Sequence, residues 1–362
     1  MKPWMKMVTG IIYDDRYLQH KTGHHVESPD RLIATMNLIK EMNLLESSDF
    51  TLLEPKMATV DEIKWVHDED MIEKARLTSL KAKGGKLQCL DLGDTVLSEE
   101  SFDVSLLAAG GAITAVDAIL EGKVDSAFAL VRPPGHHANQ FRSSGFCVFN
   151  NMAIMAEYAL LQENINRVAI FDIDLHHGNG TSDIFYDRDD VLFFSSHQDG
   201  RSQYPGSGFP DEIGEGKGEG YTVNVPLAPG AKDDVVQEIF SQIIKPVFLQ
   251  YDPDFILGSI GCDAHHGDPL SGLAFSFQGY GNYVKGFKEI ADKCCNGRVA
   301  LTLEGGYRVD NVAKIVVNIL HALAGKELPF VEDATASGDN LKAYHRKLMK
   351  TLKKNLGKLW TF

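Results

Sequence analysis

The chain has 362 residues, of which 44% are hydrophobic and 24% are charged, an ordinary composition for a globular protein. A formal net charge of -14 argues against a nucleic-acid-binding protein, because that class needs a basic surface. The five cysteines form no CxxC pair, which argues against a disulfide framework or a thiolate zinc site. Asp14 and Asp15 interrupt the first apolar run too early for a signal peptide, and Gly110, Gly111 and Asp117 break the most apolar helix. We therefore expect a cytoplasmic protein without a membrane span.

The predicted elements alternate between strands and helices along the chain. Short apolar runs predict strands at residues 7–13, 126–131, 168–171, 190–197, 221–227, 255–263 and 298–307. Helical periodicity and start signals predict helices at residues 29–45, 59–80, 102–120, 151–162, 234–249, 310–324 and 338–355. This alternation predicts an α/β fold. We expect a single domain over 1–362, with one open, mainly parallel sheet flanked by helices on both faces.

The most informative stretch is RVAIFDIDLHHGNGT, residues 167–181. Asp172, Asp174 and His176 occupy alternating positions where a buried strand ends, so their side chains point the same way. Burying two carboxylates and an imidazole together is costly unless they bind a charged group. The carboxyl edge of a parallel sheet is also where open α/β folds bind ligands. The stretch predicts a metal site, although an aspartate here could instead cap a helix and His177 could be a core histidine.

Three further strand ends carry polar groups. Pro133 and Pro134 precede His136 and His137 on a constrained turn, whereas His24 and His25 lie in a glycine-containing loop and are not expected to be ligands. The strand at 255–263 ends in Asp263, and the strand at 298–307 delivers Gly305, Gly306 and Tyr307. Parallel strands place their carboxyl ends at one edge of a sheet. These positions are far apart in the chain, but we expect them to converge at that edge and to belong to one continuous sheet.

Asp174, His176 and Asp263 form an oxygen–nitrogen–oxygen ligand set that leaves coordination positions open for water and substrate, as a catalytic zinc requires. His136 and His137 are then free for proton transfer.

Two polar residues flank these ligands. Asp172 would keep one imidazole protonated, while Asn179 would leave the other less basic. Tyr307 could donate a hydrogen bond to a developing oxyanion. Together these groups predict metal-assisted hydrolysis of a carbonyl compound.

Five motifs, RPPGHHA, GFCVFNN, FDIDLHHGNGT, GCDAHHGDPL and LEGGY, resemble those of the zinc-dependent histone deacetylase family. They occur in family order between about His25 and Arg308. PPGHHA and Asn179 are closer to the class II branch and its prokaryotic relatives, which include acetylpolyamine amidohydrolases. The resemblance implies the arginase–deacetylase fold, with the active site at the C-terminal ends of the strands.

The resemblance also implies an activity and a set of roles. The expected enzyme is a zinc-dependent deacetylase, a hydrolase that removes acetyl or other acyl groups from acetyl-lysine-like amines by attack of a zinc-bound water. Zn²⁺ is the expected metal, with Fe²⁺ as the alternative. The implied zinc ligands are Asp174, His176 and Asp263. The implied catalytic groups are His137 as general base and acid, His136 as its electrostatic partner, Asp172, Asn179 and Tyr307.

Other roles follow from the same resemblance. The implied substrate-binding residues are Phe146 and Tyr204 as tunnel walls, Gly145, Leu270, Gly305 and the rim residue Asp94. The implied structural potassium site uses Asp172, Asp174, His176, Ser195 and Ser196. A second monovalent site would use Phe185, Arg188, Val191 and Tyr221. Arg31 matches an arginine of the family's internal channel.

The sequence leaves alternatives open. Leu270 stands where a glutamate selects acetylpolyamines, which disfavours that substrate but not other small acetylated amines. A dimanganese ureohydrolase needs further carboxylates at the positions of Gly178 and His265, and a magnesium phosphohydrolase would give His136 no role. A non-catalytic deacetylase-like binding protein is the alternative from another class. An acetylated peptide, protein or small amine is the expected partner, and the sequence leaves open whether the protein is a homo-oligomer.

Overall fold

A parallel sheet of eight strands runs through the centre of the molecule. The computed structural model describes residues 7–333 and 335–362, and the strand order in this sheet is β2-β1-β5-β10-β9-β6-β7-β8. These strands are β1 Thr9–Ile12, β2 Phe50–Leu53, β5 Ser126–Ala129, β6 Val168–Asp172, β7 Val191–Gln198, β8 Thr222–Leu227, β9 Phe255–Ile260 and β10 Val299–Leu303. A separate antiparallel pair is formed by β3 Gln88–Cys89 and β4 Val96–Leu97. The predicted α/β class and mainly parallel sheet are confirmed.

The central strands are apolar because helices cover both of their faces. Every residue of Val168–Asp172 and Phe255–Ile260 is buried, as in parallel sheets covered on both sides. The sequence analysis missed Phe50–Leu53, an edge strand that leaves Leu52 exposed.

Eleven α-helices are found in the described residues. They are α1 Asp30–Glu41, α2 Val60–Ile63, α3 Glu69–Lys81, α4 Ser101–Leu120, α5 Asn151–Leu160, α6 Asn179–Ile184, α7 Asp233–Ile239, α8 Lys245–Tyr251, α9 Phe277–Cys294, α10 Val309–Leu323 and α11 Asp339–Leu356. The single helix expected over 59–80 is two helices, because Asp68 accepts a hydrogen bond from the Asp70 N–H and starts a second one. A π-helical segment, Phe240–Ile244, joins α7 to α8.

The helix predicted at 102–120 is confirmed as α4, which continues through Gly110 and Gly111. A Cβ at Gly110 would lie 1.9 Å from the Lys56 carbonyl oxygen, and one at Gly111 would lie 2.4 Å from the Tyr17 hydroxyl. The glycines therefore allow close packing instead of ending the helix. By length and composition α4 could cross a membrane, and most of it is buried inside the molecule.

Four neighbouring strands carry the polar residues noted above. Strands β5, β10, β9 and β6 are adjacent in that order. His136 follows β5, Asp172 ends β6, Asp263 follows β9 and Tyr307 follows β10. Parallel strands place their carboxyl ends at one edge, so this topology brings all four positions together.

Candidate active site

The three predicted metal ligands lie together at the carboxyl edge of the sheet. The Nδ1 atom of His176 lies 3.0 Å from Oδ1 of Asp174 and 3.2 Å from Oδ2 of Asp263. One ligand atom from each residue falls within 4.8 Å of the others, and all three side chains are buried. The adjacent strands β6 and β9 thus bring the three residues into one compact cluster.

This cluster fits a divalent cation. Within the described part of the chain, Oδ2 of Asp263 is buried and has no hydrogen-bond partner, since the single Nδ1 proton of His176 can point to the closer Asp174 oxygen. Burial and the Asp174 charge raise the pKa of Asp263 to about 6. A cation would compensate this charge, and an O–N–O donor set suits zinc.

Backbone contacts hold the other carboxylate oxygens in place. The Leu175 N–H donates to Oδ1 of Asp263 at 2.9 Å, and the Gly305 N–H donates to Oδ2 of Asp174 at 2.9 Å. A Cβ at Gly305 would lie only 2.4 Å from Oδ2 of Asp263. Position 305 therefore has no space for a side chain beside these two carboxylates.

The adjacent histidines have different partners and different charges. Nδ1 of His136 lies 2.9 Å from Oδ2 of Asp172, and Nδ1 of His137 lies 2.7 Å from Oδ1 of Asn179. Burial lowers the pKa of His136, but the Asp172 and Asp174 charges outweigh it and raise this pKa to about 10. Burial, followed by the neighbouring histidines, lowers the pKa of His137 well below its usual value. The surroundings of His136 therefore favour its protonated form. His137 is neutral, with Nδ1–H donated to Asn179 and Nε2 free to accept a proton.

A cavity of about 270 Å³ leads to these groups. Its lining residues are Asp94, His137, Gly145, Phe146, His176, Gln203, Tyr204, Leu270 and Tyr307. Five of the six predicted substrate-binding residues line it, and the N–H of the sixth, Gly305, instead donates to the Asp174 carboxylate. The predicted tunnel walls, His137 and one predicted metal ligand, His176, therefore line one cavity.

Tight backbone geometry shapes the cavity wall. Gly145 has φ +55°, and a Cβ there would lie 2.4 Å from Cδ2 of His137. Phe146 has φ +68° and packs edge-on against Tyr307 and His25, with ring centroids 5.8 Å and 4.5 Å away. His25 thus contacts a predicted tunnel residue, and neither His24 nor His25 belongs to the Asp174–His176–Asp263 group.

Asp94 lies at the exposed rim of the cavity. Asp91 fixes its loop by accepting hydrogen bonds from the N–H groups of Gly93, Asp94 and Thr95. Partial burial, and then hydrogen bonding and repulsion from Asp91, raise the pKa of Asp94 to about 6.

The Tyr307 ring completes the cavity beside Phe146. Its backbone N–H donates to Oδ2 of Asp268 at 2.6 Å, and the Arg308 N–H donates to the same oxygen at 3.0 Å. Burial and the charges of Asp263 and Asp174 raise the pKa of Tyr307 well above its usual value. The hydroxyl therefore stays protonated and can donate a hydrogen bond.

Arg31 lies behind this tyrosine and is completely buried. Its guanidinium donates to the carbonyl oxygens of Glu304, Gly305 and Gly306 and pairs with Glu27 at 3.1 Å. The arginine expected in an internal channel thus also holds the backbone that leads to Tyr307.

Two residues of the predicted structural potassium site, Asp172 and Ser195, lie opposite each other on adjacent strands. Ser195 pairs with Asp172 in the register of β6 and β7. The hydroxyl of Ser195 bonds Nδ1 of His197 at 2.8 Å, while Ser196 accepts a bond from the Tyr283 hydroxyl at 3.3 Å.

The residues of the predicted second monovalent site are also near one another. The Arg188 N–H donates to the Phe185 carbonyl at 3.2 Å. Val191 begins β7, in which the Phe193 N–H donates to the Tyr221 carbonyl at 2.9 Å.

The ureohydrolase alternative conflicts with the surroundings of both extra ligand positions. A Cβ at Gly178 would lie 2.2 Å from Oδ2 of Asp172, so a carboxylate side chain has no space there. His265 instead faces Glu332, with Nε2 3.2 Å from its Oε2 atom. The two further carboxylate ligands of a dimanganese ureohydrolase are therefore missing at these positions.

Comparisons with known proteins agree with this geometry. The histone deacetylase domain family matches residues 25–323. A probable deacetylase of Archaeoglobus fulgidus is 42% identical, with 90% of this chain and 89% of that protein covered. The chain belongs to the histone deacetylase family.

Further members of this histone deacetylase family are similar over most of the chain. Chloroplastic histone deacetylase 14 of Arabidopsis thaliana is 38% identical over 90% of this chain and 78% of its own length. A histone deacetylase-like amidohydrolase of Pseudomonas aeruginosa is 34% identical over 83% and 77%. The crystal structure of the HDA15 HD domain has a TM-score of 0.88 and 30% identity, covering 98% of this chain and 95% of that one. This similarity identifies the arginase–deacetylase fold.

Two residues that contact the candidate deacetylase site were missed in the sequence analysis. Asp268 accepts the backbone N–H of Tyr307, and Glu304 accepts those of Gly135 and His136. A carboxylate directly after the apolar strand 299–303 is an available signal for Glu304, since an acidic residue in such a position is costly to bury.

Proposed function

We propose that this protein is a metal-dependent amidohydrolase that removes acetyl groups from acetyl-lysine-like amines. One observation carries the proposal: His137, His176 and Tyr307 line one cavity, and His176 belongs to the buried Asp174–His176–Asp263 cluster. The names of two relatives, a probable deacetylase and a histone deacetylase-like amidohydrolase, support it.

Asp174, His176 and Asp263 would hold the metal. When bound, a divalent zinc ion would lower the pKa of water and polarise a carbonyl oxygen. The Gly305 N–H holds Oδ2 of Asp174 by a hydrogen bond, and position 305 leaves no space for a side chain beside Asp174 and Asp263.

His137 acts as the general base and then as the general acid. Its free Nε2 takes the proton of the attacking water and later gives it to the leaving amine, while Asn179 holds Nδ1–H. His136 stays protonated beside Asp172 and stabilises the negative charge of the tetrahedral intermediate. The charge difference between the adjacent histidines thus assigns each a separate role.

Tyr307 donates its hydroxyl hydrogen bond to the substrate carbonyl oxygen as negative charge develops on it. The Asp268 contacts to the backbone of residues 307 and 308 hold the tyrosine loop in place. Because the oxyanion forms only after the substrate has bound, we expect the Tyr307 hydrogen bond to raise kcat rather than to lower KM.

The cavity supports a long, thin substrate side chain. Phe146 and Tyr204 provide aromatic walls for an alkyl chain, and the Gly145 carbonyl oxygen would accept a hydrogen bond from the substrate amide N–H. Asp94 at the rim would accept hydrogen bonds from the substrate backbone, which favours a peptide over a free amine. Leu270 provides no charge there for a polyamine.

We also propose that K⁺ occupies the site expected at Asp172, Asp174, His176, Ser195 and Ser196, with a second, weaker monovalent site at Phe185, Arg188, Val191 and Tyr221. The register pairing of Asp172 with Ser195 supports the first site.

The test compares turnover of an acetyl-lysine peptide with that of an acetylated polyamine, using zinc-loaded and chelator-treated protein. We expect faster turnover of the peptide, loss of activity on chelation, and no activity in a His137→Ala variant that keeps its zinc. Faster polyamine turnover would reassign the substrate to small acetylated amines. Zinc-loaded protein inactive on both substrates would favour the binding-protein alternative.

A further inference from the structure

Glu304 lies directly after strand β10 and is completely buried. Its Oε2 atom accepts hydrogen bonds from the N–H groups of Gly135 at 2.7 Å and His136 at 3.1 Å. Its Oε1 atom accepts bonds from the hydroxyls of Ser259 at 3.3 Å and Thr302 at 3.1 Å. All four donors surround one carboxylate, so the side chain has a single well-defined position.

Such a carboxylate is costly to bury. Among the described residues it has no ion-pair partner within 4.0 Å, and burial raises the pKa of Glu304 to about 6. A buried charge usually contributes less to stability than a well-packed apolar side chain of similar volume. Its contacts with the backbone of the histidine turn indicate a role beyond stability.

The main chain of Glu304 is held as firmly as its side chain. Its N–H donates to the Ile260 carbonyl at 2.8 Å, and its own carbonyl accepts a bond from Arg31. The next residue, Gly305, contacts Asp174, and Tyr307 follows two residues later. One residue thus connects the histidine turn to the strand end that carries the tyrosine.

We propose that Glu304 is a positioning residue that fixes the histidine pair relative to Tyr307. Its carboxylate holds the backbone at 135–136, and its main chain belongs to the segment that ends in the tyrosine. The inference rests on the proposed deacetylase function, since it assumes that His137 and Tyr307 act on one substrate.

Two substitutions separate this role from charge and from general stability. In Glu304→Gln the amide oxygen can still accept both N–H groups, and its NH₂ can donate to the Ser259 and Thr302 hydroxyls. Glu304→Asp keeps the charge but shortens the side chain by one methylene, so it cannot reach both sets of donors. Thr302→Val is the matched control, because it removes one bond at Oε1 and leaves the contact with the histidine turn intact.

The experiment measures kcat, KM and zinc content with an acetyl-lysine peptide, together with amide hydrogen exchange of the segment that contains Gly135 and His136. Because a misplacement of about 1 Å can cost about 100-fold in rate, we expect Glu304→Asp to lower kcat by about 10- to 100-fold. KM should stay within about threefold and zinc should stay bound. Exchange at 135–136 should become faster. Glu304→Gln and Thr302→Val should keep wild-type exchange and a kcat within about threefold of wild type.

Several results would overturn the proposal. Wild-type kcat and exchange in Glu304→Asp would show that the carboxylate does not position the turn. Loss of zinc or of folding in Glu304→Asp would make Glu304 a residue of general stability. A wild-type enzyme that binds zinc but is inactive would contradict the proposed function instead, and the exchange data would still decide whether Glu304 holds the turn.

Discussion

Gly305→Ala provides a direct test of the metal cluster. The substitution adds one methyl group 2.4 Å from Oδ2 of Asp263 and 2.6 Å from Oδ2 of Asp174. Position 305 does not have a positive φ, so the alanine would cause no backbone strain of its own. Any effect should come from the contact with the two carboxylates.

The expected displacement follows from these distances. Ordinary van der Waals contacts of a Cβ begin at 3.4 Å, so the Asp263 oxygen would have to move by about 1 Å. Metal sites tolerate deviations of only about 0.2 Å in ligand distance. We therefore expect zinc affinity to fall by at least about 10- to 100-fold, the loss typical for disturbing residues that support metal ligands.

The assay titrates chelator-treated protein with buffered zinc and follows bound metal. Gly338→Ala is the control, because a Cβ there meets no atom within 4 Å and its φ is −66°. Wild-type zinc affinity in Gly305→Ala, with the fold retained, would refute the assignment of Asp174 and Asp263 as ligands.

Three further predictions concern turnover and stability. Tyr307→Phe should lower kcat by about 100- to 1,000-fold, as for loss of an oxyanion donor. A kcat within a few fold of wild type would show that the Tyr307 hydroxyl does not stabilise the oxyanion. His137→Ala should abolish turnover without reducing bound zinc, and metal loss would make it a ligand. Glu27→Gln should lower the free energy of unfolding by about 3–5 kcal/mol at pH 7, because it leaves Arg132 buried without its partner. Burial opposes this ion pair, but Arg132 lowers the pKa of Glu27 from 4.5 to about 2. The stabilisation by this pair is therefore complete above pH 4.5 and is lost toward pH 2. The difference in unfolding free energy between wild type and Glu27→Gln, measured by urea denaturation, should therefore decrease on acidification. A difference independent of pH would contradict this origin.

The sequence by itself determined the chemistry available at the sheet edge. Alternating polar residues after an apolar run at 168–172 indicated a strand that ends in a ligand cluster, because strand periodicity is a local property of the chain. The same reasoning connected Asp263 and Tyr307 to this edge, since parallel strands place their ends together. It also paired Asp172 and Asn179 with the two histidines, and the structure has both contacts.

Only the tertiary structure shows which groups from distant parts of the chain contact the candidate catalytic segments. The Glu304 carboxylate reaches a turn 168 residues earlier in the chain, and the Arg31 guanidinium reaches the carbonyl of Gly306, 275 residues later. Helix α4 continues through Gly110 because the neighbouring backbone of Lys56 requires a residue without a side chain. Such contacts depend on how the layers pack against each other. Local periodicity contains no information about that packing, so the positions of these residues became clear only in the folded molecule.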